Sequence, residues 1–400
     1  SNLLLDYNSQ PDSLSFKGNF QDANLQDLLV DLPEKFYEIQ ELEMSNSDLA
    51  VNMLVNKEQA PKPVSDSIPW PDLGLKINKI DLYNNSFLLT ENNAQAQIGK
   101  FNPEAIELKN LSLLAGDIEM SRLSALANID SLSFQETSGL NLQKFSGKLL
   151  LNDDKTEIRD FKLNLNKNKL DGYFLADYDN LNDFINTNNA RLELDLSPIV
   201  IDIRDLFFFQ PELRQDPYMA ALSKSLLRGN LKARGSMEAL QLQTANFSWA
   251  NSRLSTSGNL SNLSDPENLG FSLPQINFSS SRNDLLNFVS EEDLGIKLPQ
   301  KIEFQGNLFG NLDNLQSKGN LQSSLGQIVY DGELQSANGI GFSADMESKD
   351  FNLGELLQNE SLGRLNLEIS ASGNGTDINS LDAEVEAMLH SFTYNDYEIK

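Results

Sequence analysis

The stretch Ile302-Glu303-Phe304-Gln305-Gly306-Asn307-Leu308, with Gly310 two residues on, alternates apolar and polar side chains and then breaks on glycine. A period of two is the mark of a β-strand with one oily and one wet face. The phrase returns as Leu227-Arg228-Gly229-Asn230-Leu231 with Gly235 following. It returns again as Leu365-Asn366-Leu367-Glu368-Ile369 with Gly373-Asn374-Gly375 following. Gly229, Gly306 and Gly373 stand 77 and 67 positions apart. Strand-like units at that interval predict a repeat architecture that buries its faces only by stacking. A stacked β array is a surface or a conduit before it is a reaction vessel.

The same alternation runs through Leu14–Phe16, Leu73–Ile77, Leu111–Leu113, Ile118–Met120, Phe161–Leu165, Leu192–Leu196 and Ile276–Phe278. Strands of this kind belong to antiparallel meanders, apolar on one side and solvated on the other. Residues 152–154 (Asn-Asp-Asp), 166–168 (Asn-Lys-Asn) and Asp331-Gly332 carry turn chemistry. Three short helices are predicted between strands. The first follows Asp216-Pro217, with Tyr218, Ala221, Leu222 and Leu226 on one face; the others cover Asp284–Val289 and Leu353–Gln358. A further helix is predicted around Leu25, Leu28 and Leu29. Prolines 61, 63, 69 and 71 prevent regular pairing, so 57–74 reads as a loop or linker. The expected organisation is a partial repeat unit over 1–56, the linker over 57–74, a β-groove segment over 75–228 and repeated groove units over 229–400.

Composition excludes several classes. There are 58 acidic against 31 basic residues, for a net charge of −27, and 40% of the chain is hydrophobic. Nucleic acid is excluded as a partner, because phosphate binding needs clustered Lys and Arg. An anionic membrane surface likewise attracts polybasic segments, which this chain lacks. The chain has no cysteine and a single histidine, His390. The usual nucleophile–base pairs and zinc ligand sets are therefore absent, and Gly373-Asn374-Gly375 lacks the rest of a dinucleotide fingerprint. No cofactor, metal or catalytic residue is expected, and the chain reads as a non-enzyme. No apolar run approaches the ~18 residues of a membrane span. The abrupt ends at Ser1 and Lys400 read as those of a fragment.

Several segments together resemble the AsmA-like superfamily, and within it the TamB-type (translocation and assembly module) proteins of Bacteroidota envelopes. They are Leu75-Lys76-Ile77-Asn78-Lys79-Ile80-Asp81-Leu82-Tyr83 running on to Phe87; Leu132-Ser133-Phe134 through Ser138-Gly139-Leu140-Asn141-Leu142; Phe161–Leu165 with Asp171-Gly172; and Asp350-Phe351-Asn352-Leu353-Gly354-Glu355-Leu356-Leu357. Leu362-Gly363, Gly373–Gly375 and Tyr394–Tyr397 complete the likeness, which covers about residues 70–400. It implies a mainly β fold: an elongated, twisted antiparallel sheet curled into an open half-pipe, with a few short helices. It further implies a periplasmic location, in a longer protein anchored in the inner membrane of a Gram-negative bacterium through parts beyond this fragment.

The function so implied is the shielding of phospholipid acyl chains during transport between inner and outer membranes. The alternative is a scaffold for assembly or secretion of outer-membrane proteins, with the outer-membrane assembly machinery as partner. A filled β-solenoid with a structural or adhesive role is a third class. Exposing an acyl chain to water costs ~0.8 kcal/mol per CH₂, or roughly 12 kcal/mol for sixteen carbons, which an apolar trough would offset. About 25 strands at ~4.8 Å would give an array of order 100 Å. The candidates for its lining are Ile77, Leu82, Leu113, Met120, Phe134, Leu163, Leu194, Phe247, Phe278, Phe304, Ile328 and Phe342.

Overall fold

The computed structural model describes residues 3–9, 13–55, 70–181, 190–336, 339–375, 382–395 and 397–399. Strand makes up 70% of the chain and helix 9%, and no barrel closes. Two units divide at Ser223 and Lys224. Pro61, Pro63 and Pro69 of the expected linker, and Asp396, lie outside the described residues.

Unit 1 contains β1 (Leu3–Ser9), β2 (Leu14–Phe20), β3 (Asp22–Asp31), β4 (Phe36–Ser45), β5 (Asp48–Met53), β6 (Gly74–Glu91), β7 (Ala105–Ser121), β8 (Ser124–Glu136), β9 (Asn141–Asn152), β10 (Lys155–Leu165), β11 (Asn168–Tyr178) and β12 (Ala190–Ile201). From β6 to β12 each strand pairs antiparallel with the next. On its other edge β6 carries two strands end to end, β4 beside Gly74–Tyr83 and β5 beside Ser86–Glu91, both parallel to it. The sheet is therefore mixed, where alternation alone suggested antiparallel. Twenty positions separate Met53 from Gly74, enough for the crossover that parallel pairing requires.

The segment expected to be helical around Leu25, Leu28 and Leu29 is strand β3. Asp27 there has φ +50°, and it falls with Gln40 of β4, Asn78 of β6 and Asp117 of β7 (φ +49°) where the ladders β3–β4, β4–β6 and β6–β7 each skip a pair. Along this column four strands each step by three instead of two: Leu25 to Leu28, Ile39 to Leu42, Ile77 to Ile80, Ala115 to Ile118. Aspartate tolerates the left-handed conformation that such a step uses. A strand with this irregularity imitates helical spacing.

Where β4 gives way to β5, Asn85 of β6 holds the break together. Its Oδ1 accepts from the Ser47 N–H at 3.0 Å and its Nδ2 donates to the Met44 carbonyl at 3.1 Å. Asn85 is 1% exposed. Both ends of its amide are satisfied, as a buried polar group requires.

Unit 2 contains β13 (Leu227–Ser236), β14 (Ala239–Trp249), β15 (Ser252–Ser261), β16 (Gly270–Ser281), β17 (Lys301–Asn311), β18 (Asn314–Ser323), β19 (Gly326–Gln335), β20 (Ile340–Asn352), β21 (Leu362–Gly375), β22 (Asp382–Tyr394) and β23 (Tyr397–Ile399). Each pairs antiparallel with the next. The described strands thus number 23. Asp331-Gly332, read as a turn, lies inside β19, where Gly332 faces Ala344.

Helix α1 (Pro217–Leu222) ends unit 1. In unit 2, α2 (Arg282–Leu285) and α3 (Glu291–Leu294) follow β16, and α4 (Leu353–Leu357) follows β20. The helix expected over Asp284–Val289 therefore starts two residues earlier and stops at Leu285. The strand ends supply the caps: Ser281 Oγ accepts from the Asp284 N–H at 3.3 Å and Asn352 Oδ1 from the Glu355 N–H at 3.0 Å. The repeat announced by the glycine phrase is thus four antiparallel strands and a helical turn, with β13, β17 and β21 each opening a module.

Few side chains are fully buried. One buried apolar cluster is formed by Ala176, Tyr178, Leu181 and Ala190, with Trp70, Leu151, Phe174 and Leu192 packed on it. The chain exposes 24119 Å². Even two separate compact globules of half its mass would expose only ~19,000 Å². Among the described residues no second layer covers the apolar face of these sheets.

Candidate functional site

Residues directly opposite each other on a ladder share a face of the sheet. In unit 2 one such row crosses ten strands: Gly229, Phe247, Leu254, Phe278, Phe304, Leu321, Ile328, Ser348, Leu367 and Leu389. The neighbouring row runs Leu231, Ala245, Thr256, Ile276, Gly306, Gly319, Tyr330, Met346, Ile369 and Ala387. A parallel row holds Leu315, Leu334, Phe342, Gly373 and Ala383. None of these residues is charged. Nine inter-strand steps of ~4.8 Å make the first row roughly 43 Å long.

The five candidates of unit 2 accordingly share one face. Phe247, Phe278, Phe304 and Ile328 stand in a single row, and Phe342 lies further along the strands. All five are half-buried, and their row neighbours Leu254 and Leu389 remain 38% and 45% exposed. These side chains touch their neighbours along the sheet and face open space above it.

The recurring glycines make that floor smooth. A Cβ on Gly229 would stand 2.6 Å from Phe247 Cδ1, and one on Gly306 2.5 Å from Phe304 Cζ. Gly319, facing Gly306, would also collide with the Phe304 ring. The rings lie flat over their glycines, and Phe304 stacks on Tyr330 with centroids 6.2 Å apart and planes inclined by 21°. Glycine normally weakens a strand, and a covering aromatic ring restores the packing it lacks.

In unit 1 the row Leu82, Leu113, Leu132, Phe145, Leu163, Leu170 and Ile199 joins three candidates across seven strands. Met120 belongs to the row Leu75, Met120, Ala125, Leu151, Thr156, Ala176 and Leu192. Leu194 faces Phe174, Phe134 faces Leu142, and Ile77 lies between Ile39 and Ile118. The bulge at Asp160 (φ +50°) shifts the register between Ile158 and Phe161, so both keep to this face. Ile77, at 7% exposure, is the only candidate that is fully buried.

On the apolar face of unit 1 Glu136, opposite Leu108 and 6% exposed, accepts from the Ser138 N–H at 2.8 Å. The ion pairs of β4, β6 and β10 stand on the opposite face. Lys76 Nζ meets Glu38 at 3.0 Å, and Lys79 meets Glu41; each ammonium pKa is raised, first by the hydrogen bond to its glutamate. Glu157 accepts from Arg159 Nε at 2.7 Å and Tyr173 Oη at 2.9 Å. The Arg159 bond holds this carboxyl below its ordinary value against the opposing effect of burial. Among the described residues no three His, Asp or Glu side chains gather as a metal-holding group.

The alternation of single strands is what singled out the candidates. It could not show Asn85, a polar residue buried on the apolar face, or the role of the glycines. The Phe-x-Gly spacing at 304–306 was the available signal for the latter. Searches of known families, curated proteins and solved structures find no match to this chain.

Proposed function

We propose that this chain is part of a non-enzymatic, TamB-type periplasmic bridge whose apolar sheet faces shield phospholipid acyl chains in passage between the inner and outer membranes. The observation that carries the reading is the uncharged, uncovered apolar face crossing ten strands of unit 2. At ~0.8 kcal/mol per CH₂, even partial contact along that face would offset much of the cost of holding a hydrocarbon tail out of a bilayer. A smooth floor of rings packed over glycines, with no charged group to fix an orientation, suits a mobile chain better than a fixed ligand.

Two measurements test this. Mass spectrometry of organic extracts of the purified protein should find phospholipid. Photo-crosslinking residues at Phe278, Ile328 and Phe342 should capture acyl chains, while those at Asn277, Val329 and Ser343, on the other face, should not. Absence of lipid together with equal labelling of both faces would end the proposal.

A scaffold for outer-membrane protein strands is the second reading. Among the described residues β3 is paired on one edge only, and Leu25, Leu28 and Val30 on it are 46–52% exposed. An unpaired edge of this kind accepts an added strand. Crosslinks from β3 to unfolded outer-membrane proteins, with none to lipid from the apolar rows, would favour it.

A further inference from the structure

The polar face of β13–β15 reverses the charge of the chain. From Leu227 to Ser261 there are four basic residues, Arg228, Lys232, Arg234 and Arg253, against a single acid, Glu238. Arg228, Ser248, Arg253 and Ser279 stand directly opposite one another across β13–β16, and Asn230 and Asn246 face each other one row along. These residues, with Gly229, Phe247, Leu254 and Phe278 of the intervening apolar row, border an open cavity of about 620 Å³ whose lining contains no carboxylate. A second cavity of this unit, also of about 620 Å³, is bordered instead by Asp331, Asp345, Glu347, Glu368 and Glu386.

Of these four basic residues Lys232 and Arg234 are engaged elsewhere, Arg234 by Gln241 Oε1 at 3.1 Å. Among the described residues neither Arg228 nor Arg253 has an ion-pair partner. Asn246 donates through Nδ2 to Asn230 Oδ1 at 3.1 Å and accepts from Ser255 Oγ at 2.6 Å. That fixes the Asn246 amide and leaves the Asn230 amide N–H groups for a ligand. Each guanidinium offers five N–H donors in a planar fork that matches the oxygens of a phosphate. Two strand spacings place Arg228 and Arg253 about 10 Å apart at the backbone, within reach of one oxyanion held over Ser248. The nearest acids have other partners: Glu303, next in the row beyond Ser279, pairs with Lys301, and Asp284 accepts from the Asn251 N–H at 2.8 Å and Ser252 Oγ at 3.0 Å. Acids farther than ~8 Å are screened at physiological salt.

We propose that this cavity binds a phosphate group, carried either by a free phosphate compound or by a phospholipid head group. The arginines and asparagines alternate with the apolar row and so stand on the opposite face, while Gly229, Phe247, Leu254 and Phe278 of that row complete the lining between them. Phosphate binding needs no acyl chain, so its test is separate from that of the transport reading.

The test uses the whole chain in two arms. Calorimetric titration with inorganic phosphate forms the first; flotation with vesicles of phosphatidylcholine, with and without phosphatidylglycerol, forms the second. The pair Arg228→Gln/Arg253→Gln should weaken binding at least ~10-fold, while Arg364→Gln, an arginine of the same unit beside Asp350, should leave it unchanged. Both replaced arginines are exposed, and circular dichroism checks that the sheet persists; the single variants serve should the pair fail to fold. Arginine-dependent binding of inorganic phosphate identifies a soluble source, and arginine-dependent flotation only with phosphatidylglycerol identifies a head group. Either outcome supports the site. No binding in both arms overturns it, as does an Arg364→Gln loss equal to that of the pair.

Discussion

Gly319→Ala probes the apolar floor at its tightest point. A Cβ there would stand 2.9 Å from Phe304 Cζ, closer still to Cε2, and 3.1 Å from the Gln305 carbonyl oxygen. Either the ring lifts or the strands part, and overpacking of this kind costs about 1–3 kcal/mol. Alanine returns about 0.4–1 kcal/mol by restricting the unfolded chain, so a net loss of about 1–2 kcal/mol is expected. In a Phe304→Leu background the colliding ring atoms are gone, and the same alanine becomes neutral or stabilising by ~0.5 kcal/mol. The double-mutant cycle should therefore show a coupling of about 1.5–2 kcal/mol. The chain has two tryptophans, Trp70 in unit 1 and Trp249 in unit 2. With Trp70→Phe, the buried Trp249, whose ring lies 5.3 Å from that of Phe288, reports on unit 2 alone. Urea unfolding followed by its fluorescence measures each corner of the cycle. A coupling below ~0.5 kcal/mol, or a Gly319→Ala protein as stable as its parent, would refute the ring-over-glycine account.

Other expectations rest on single residues. Asn85→Leu strands the Ser47 N–H and the Met44 carbonyl, and should cost unit 1 about 2–4 kcal/mol, read from Trp70 fluorescence after Trp249→Phe. Asp160→Val places a β-branched residue at φ +50° and should lose about 1–3 kcal/mol, whereas Asp160→Gly should be tolerated in the same urea titration. Asp202, to which Arg204 Nε donates at 2.8 Å, has its pKa lowered chiefly by that hydrogen bond. A carboxyl lowered in the folded state stabilises above its unfolded pKa and loses that contribution as pH falls through the folded value. Asp202→Asn should therefore flatten the acid limb of the stability profile, and a carboxyl titrating by NMR at its ordinary value would contradict this.

The open, mainly β fold could be read from the sequence because every strand keeps one oily face, and that alternation also picked out Phe247, Phe278 and Phe304 as companions. Parallel pairing of β4 and β5 with β6 was hidden, since parallel and antiparallel strands alternate alike. Leu25 and Leu28 misled for a physical reason: a strand that steps by three at Asp27 has the spacing of a helix. Asp331-Gly332 has the composition of a turn, yet in β19 it is flanked by partners on both edges, and the ladder overrides local preference. Asn85 was invisible because its value depends on the break between two strands some 40 residues earlier.

The pairing pattern also bears on how the chain assembles. In unit 2 every ladder joins strands adjacent in sequence, so each closes a short loop at little entropic expense, and ordering can spread hairpin by hairpin. In unit 1, β6 must instead find β4 and β5 across a separation of 38 positions. Non-local pairing slows folding. After dilution from urea, Trp249 should regain its native signal before Trp70, leaving the beginning of the chain the last part to set.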